Sequence, residues 1–204
     1  MTLSAPVEQL DQLYEEPFAI LTICTANVCR SPMAEHLLRH ALREHIGRAA
    51  GVDWAVRSAG THVTNGSTMH ELAREALSER GISTEPAPAR QATKAMLDRA
   101  DLILTASRPQ RAWIVERQPN SVRRVFTMRQ FARLCAAGRA EGDGQPVRVG
   151  TDLMRRVAVG RMKLQPVAEE HDTIADPIGG DLREFQACAR LIDDCIDQIF
   201  GPAD

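Results

Sequence analysis

An almost unbroken apolar run, Phe18-Ala-Ile-Leu-Thr-Ile23, follows an acidic N-terminal stretch and precedes a short polar loop. Continuous rather than alternating hydrophobicity predicts a parallel strand covered on both faces. A helix over Pro32 to Ile46 then places Ala34, Leu37, Leu38, Ala41 and Leu42 at helical spacing. Trp54 to Ala59 reads as a second strand. Ser67 to Arg80 reads as a helix with Ala73, Ala76 and Leu77 inward, closed by Gly81. Pro86 and Pro88 break the chain before a short helix to Arg99 with Thr93 as its N-cap. Leu102 to Ala106 is a third strand, Arg108 to Arg117 a helix, Val125 to Met128 a fourth strand, and Gln130 to Ala137 a helix.

Gly138 to Gly150 is rich in glycine and charge and reads as a loop, and Leu153 to Leu164 as an additional helix. The final helix carries the clearest stripe: Leu182, Phe185, Ala189, Ile192, Ile196 and Ile199 step by three and four. Strand and helix alternate throughout, which predicts an α/β fold: an open four-stranded parallel sheet flanked by helices, with a ligand loop after strand 1. Residues 1–16 read as an N-terminal arm. Residues 17–204 read as one domain with an extended 138–173 segment.

The chemistry sits where the first strand meets the first helix, in Cys24-Thr-Ala-Asn-Val-Cys-Arg30-Ser31-Pro32. Between Cys24 and Arg30, the residues Thr25, Ala26, Asn27, Val28 and Cys29 are enough to curl around a tetrahedral anion with backbone N–H groups turned inward. The helix opening near Ser31 adds its positive end. That field favours negative charge on the Cys24 sulfur and so a nucleophile. Arg30 offers two parallel donors to an oxyanion, a geometry lysine does not reproduce. Ser31 can donate its hydroxyl to the sulfur and help it depart. Asn27 tolerates left-handed backbone and can brace the loop with its amide.

Taken together, Cys24-Thr-Ala-Asn-Val-Cys-Arg-Ser-Pro-Met-Ala-Glu resembles the signature of the low-molecular-weight protein tyrosine phosphatases, whose fold and loop are shared with thioredoxin-coupled arsenate reductases. Arg57-Ser-Ala-Gly-Thr61 resembles the family's second strand, Asp101-Leu-Ile-Leu-Thr105 its third, and Asp176-Pro177 its general-acid loop. The resemblance implies a flavodoxin-like three-layer fold and a metal-free phosphomonoester hydrolase working through a cysteinyl-phosphate. Cys24 would be the nucleophile, Arg30 the phosphate clamp and Asp176 the general acid, with no cofactor and with a phosphorylated protein or small phosphomonoester as partner. The sequence departs from the family at Ala26, where glycine is usual. It departs again at Ile178 and Thr64, where aromatics commonly line the pocket. Thiol-dependent arsenate reduction and an inactive phosphate-binding regulator are the alternative functions.

Of 204 residues, 44% are hydrophobic, enough for a substantial core. Net charge is −2 and the basic residues are dispersed, which argues against nucleic acid. No run is apolar enough for a bilayer, so no membrane partner is expected. Five cysteines without a regular framework suit a reducing, cytoplasmic setting. His36 and His40 share a helix face but lack a third metal ligand, and His62 and His70 follow the second strand. Cys29 is either a core side chain or, as the resemblance suggests, a reversible disulfide partner of Cys24. Cys135, Cys188 and Cys195 read as core. Asp172 is the rival to Asp176 as proton donor.

Overall fold

The computed structural model describes residues 17–46, 54–139 and 150–201. The expected N-terminal arm and most of the expected Gly138–Gly150 loop lie outside these residues. In chain order the elements are β1 (Phe18–Cys24), α1 (Arg30–Ile46), β2 (Trp54–Gly60), α2 (Glu71–Ser78), α3 (Lys94–Arg99), β3 (Leu102–Thr105), α4 (Arg108–Arg117), β4 (Val125–Thr127), α5 (Met128–Gly138), α6 (Gly150–Lys163) and α7 (Leu182–Phe200). Single 3₁₀ turns cover Pro119–Ser121 and Glu169–Asp172.

All four strands are parallel, in the order β2-β1-β3-β4. Alternation along β1 sends Ile20 into a core shared with α1, α2, α5 and α7, and Leu21 and Ile23 into a second core under α3 and α4. The sheet is therefore covered on both faces, as the apolar runs imply. The loops after β1, β2 and β3 and the start of α5 therefore lie along one edge, where open parallel sheets bind ligands.

Helix α7 buries the expected stripe from Phe185 to Ile199, leaves Leu182 half-buried, and includes Cys188 and Cys195 in the stripe. Its N-cap Asp181 accepts from the N–H groups of Arg183 and Glu184. Helix α2 starts later than the sequence pattern suggests. Met69 N–H donates to Ala87 O at 3.2 Å and Ala89 N–H to Ser67 O at 2.8 Å, so residues 67–69 pair with the proline-bounded 87–89 segment instead of coiling. His70 then caps α2, its Nδ1 accepting from Leu72 N–H, and stacks on Phe185.

Helix α6, in the extended segment, packs on α5 at two points of backbone contact. A Cβ on Gly138 would lie 1.9 Å from Arg156 O, and one on Gly160 would lie 2.1 Å from Leu134 O. Only glycine permits either approach. None of the described helices is long and apolar enough to cross a membrane.

Candidate active site

Strand β1 ends at Cys24 and α1 begins at Arg30, so Thr25–Cys29 form the connecting loop. Asn27 has φ +56°, the one left-handed non-glycine among the described residues. That turn brings Asn27 N–H to Cys24 Sγ at 3.3 Å. Ala26, by contrast, has no positive φ, so the methyl that replaces the family's usual glycine imposes no backbone strain. The loop is pinned from outside: His62 N–H donates to Thr25 O at 2.8 Å, Thr61 N–H to Cys24 O at 3.0 Å, and His70 N–H to Val28 O at 2.8 Å. Gly60 makes this approach possible, since a Cβ there would lie 2.5 Å from Thr25 O.

Behind the sulfur runs a buried hydrogen-bond chain. Ser31 Oγ lies 3.0 Å from Cys24 Sγ. Asn27 Nδ2 donates to Ser31 Oγ at 2.8 Å and to Ser58 Oγ at 3.0 Å. Ser58 in turn donates to Glu35 Oε2 at 2.5 Å. The Asn27 carbonyl oxygen accepts from Arg90 N–H at 2.8 Å. Glu35 is buried and ion-paired with two guanidiniums, Arg90 at 2.7 Å and Arg39 at 2.6 Å. An amide oriented at both ends is thus tied to an anion held by two cations, so Asn27 has one available orientation.

Arg30 is buried, whereas the Asp176 side chain is 41% exposed. Arg30 Nη2 donates to Asp176 Oδ2 and Nη1 to Ile174 O at 3.3 Å. Arg30 Nε is buried without a partner among the described residues. Cys24, Asn27, Arg30, Ser31 and Asp176 are therefore brought together by the β1–α1 loop and the distant Asp-Pro segment. Thr25 accepts at its hydroxyl from Gln110 Nε2 at 3.1 Å. Asp172 is placed elsewhere: it is buried between Arg108 and Arg133.

Cys29 is buried beside this site. Burial, then the negative charges of Asp176 and Cys24, push its thiol up to about 12. Burial likewise pushes Cys135, Cys188 and Cys195 up to about 12, so none is an easily ionised relay thiol. All five cysteines are free. Among the described residues no group of three or more His, Cys, Asp and Glu side chains is arranged to hold a metal.

Four residues that build the site, Glu35, Ser58, Arg90 and Gln110, are not singled out by the sequence pattern. Glu35 and Ser58 lie within the motifs quoted above, yet nothing in a helical or strand pattern distinguishes an inward carboxylate or hydroxyl from an outward one. Arg90 and Gln110 carry no local signal at all.

A thiol opening a strand-to-helix loop, with an arginine closing that loop and an Asp-Pro loop opposite, is the arrangement expected of a cysteine-dependent phosphatase. The family model described as low molecular weight phosphotyrosine protein phosphatase matches residues 19–158, and the chain belongs to that family. It is 34% identical to a protein-arginine-phosphatase of Geobacillus stearothermophilus over 133 residues, 65% of this chain and 84% of that one. It is 39% identical to EpsP, a probable low molecular weight protein-tyrosine-phosphatase of Ralstonia solanacearum, over 115 residues, 55% of this chain and 73% of that one. Among solved structures it resembles the low molecular weight protein tyrosine phosphatase of T. tengcongensis, with TM-score 0.63, 25% identity, and coverage of 89% of this chain and 96% of that one.

Proposed function

We propose that this phosphatase hydrolyses phosphotyrosine in proteins through a cysteinyl-phosphate on Cys24. The observation that carries the reading is the convergence of the Asn27 N–H and the Ser31 hydroxyl on one sulfur, at the loop closed by the Arg30–Asp176 pair. Arg30 grips the equatorial oxygens of the phosphoryl group, and the loop N–H groups of residues 25–29 share its charge. The Cys24 thiolate attacks phosphorus. The incoming phosphoryl dianion takes Arg30 from the Asp176 carboxylate, which picks up a proton from solvent beside the new negative charge; as the S–P bond forms and the P–O bond breaks, Asp176 passes that proton to the leaving oxygen. Water then attacks phosphorus, giving its proton to the Asp176 carboxylate, and Ser31 stabilises the departing thiolate. No cofactor or metal enters either step. A cytoplasmic setting suits five free cysteines.

The ring of a tyrosyl substrate would rest against Ile178, which is 52% exposed and two residues from Asp176. Phosphoarginine is the second reading. It is supported by the 34% identity to a protein-arginine-phosphatase. One preparation decides: hydrolysis of matched phosphotyrosyl and phosphoarginyl peptides, beside arsenate reduction, with phosphate trapped on sulfur by acid quench and mapped by mass spectrometry. Label on Cys24 and faster phosphotyrosyl turnover support the proposal. Turnover without label on Cys24 overturns it, and thiol-dependent arsenate turnover in place of hydrolysis replaces it with the reductase.

A further inference from the structure

Beside this site, beyond β3 and β4, a cavity of about 510 Å³ lies between α4, α5, the end of α6 and the chain leading to Asp172. Four arginines line it, Arg108, Arg111, Arg133 and Arg161, with Asp172 as the one carboxylate among its described residues. Asp172 is shared by Arg108, at 2.6 Å, and Arg133. Arg111 uses Nε on Val125 O at 3.1 Å, and its two terminal nitrogens bond to no described residue. Arg161 lies 5.0 Å over the Phe126 ring. Four formal positive charges against one negative leave a surplus of three around a single cavity, in a chain whose total is −2.

Such a surplus costs self-repulsion unless an anion relieves it, and walls of low dielectric focus the field into the space. Two of the guanidiniums are also already held. Arg108 donates to Val167 O at 2.6 Å and Arg133 to His171 O at 2.6 Å, so an incoming carboxylate or phosphate meets donors with little rotamer freedom left to lose. Leu134 adds an apolar wall for the stem of a side chain.

Resting on the phosphatase reading above, we propose that this cavity is a second anion subsite, which takes an acidic side chain of the phosphoprotein substrate near the phosphorylated residue. Continuity with the active site selects the substrate itself as the source of the anion. Asp172, in the cavity wall, is four residues from Asp176, a separation of at most about 14 Å along extended chain. Ile174, between them, accepts from Arg30 and donates its N–H to Ala106 O at 2.8 Å. On the other wall Arg108 is two residues from Gln110, which holds Thr25 of the loop. An extended peptide covers the same distance in about four residues, so a glutamate or aspartate four or five positions from the phosphoresidue reaches the arginines. The extended segment thereby contributes to substrate choice, since Arg161 belongs to α6 and the 164–172 chain closes the cavity.

The test compares two phosphopeptides that differ in glutamate or glutamine at those positions, on the wild-type protein and on the Arg111→Gln, Arg161→Gln double variant, with a small aryl phosphate as control. The acidic peptide is expected to have kcat/KM about tenfold higher, through KM, with the advantage shrinking as salt rises and largely lost in the double variant. Aryl-phosphate turnover stays unchanged in that variant, which separates failure of the subsite from failure of the phosphatase reading. Equal kcat/KM for the two peptides on the wild-type protein overturns the proposal, and needs no variant. So does an advantage that survives in the double variant. Inorganic phosphate changing aryl-phosphate kcat in the wild type but not in the double variant also overturns it, because the cavity would then take a free effector.

Discussion

Replacing Asp176 by asparagine moves binding and turnover in opposite directions. Arg30 Nη2 donates to Asp176, so an oxyanion entering the loop must take that donor from a carboxylate. Asparagine is isosteric and neutral, a weaker competitor for Arg30 and no longer repulsive to a dianion. Because the Asp176 side chain is 41% exposed, solvent screens the pair, and its loss is worth about 1 kcal/mol, or roughly fivefold tighter vanadate binding. Turnover falls, since an amide cannot protonate the leaving oxygen. A lost general acid costs about two to four powers of ten on poor leaving groups, and less on activated aryl phosphates that depart without a proton. The assay is a leaving-group series beside vanadate inhibition, on both proteins. Weaker vanadate binding, or one uniform loss of rate across the series, refutes the reasoning. A leaving-group-dependent defect larger in Asp172→Asn does so too. That variant is expected instead to lose about 2 kcal/mol of stability, below the range for fully buried pairs because Arg108 and Arg133 are partly exposed.

Cys24→Ser abolishes turnover yet retains vanadate binding by isothermal titration, and Arg30→Lys loses nearly as much activity because a point charge replaces paired donors. Glu35→Gln leaves Arg39 and Arg90 without their shared anion, lowering stability by about 2 kcal/mol in denaturant titration, since these arginines too are partly exposed, and turnover along with it as Asn27 loses its brace; unchanged values of both would remove Glu35 from the network. Gly160→Ala, which in an ordinary helix adds about 1 kcal/mol, instead destabilises by roughly 1–3 kcal/mol, because the new Cβ meets Leu134 O, a backbone atom that cannot swing aside. Mild peroxide inactivates reversibly through a Cys24–Cys29 cross-link seen by mass spectrometry. The cross-link forms faster as pH rises, because Cys29 at about 12 supplies more thiolate with each increment; a flat pH dependence refutes the role of Cys29 as the attacking thiol.

How far the sequence can be read depends on whether a feature is written in neighbouring residues. Strands β1 and β3 are almost unbroken apolar runs, the stripe of α7 repeats along the helix, and the thiol, the left-handed Asn27 and the closing arginine stand within one short motif. Each is a local statement, and each is found in the structure. Helix α2 begins four residues later than its pattern predicts, because the competing partner of Ser67–Met69 is the 87–89 segment, about twenty residues away and joined by backbone atoms that carry no sequence identity. Asp172 and Asp176 look alike as acids in one stretch of chain. They are separated by which arginine each meets, a flanking pair for one and the loop arginine for the other.

The arginine cavity shows the same limit from the other side. Arg108 and Arg111 lie one turn apart on α4, Arg133 is on α5 and Arg161 on α6, so along the chain they read as dispersed surface charge, the feature that argues against a polyanionic partner. What gathers them is the approach of α5 and α6 at Gly138 and Gly160. Two hydrogen atoms in place of side chains let the helices touch, and that contact brings Arg161 to the same cavity as Arg133. Dispersal in sequence therefore excludes a linear basic segment, but not a basic cavity. A Gly160→Ala substitution that loosens α6 should accordingly erase the preference for acidic peptides while sparing aryl-phosphate turnover, linking the helix packing to the choice of substrate.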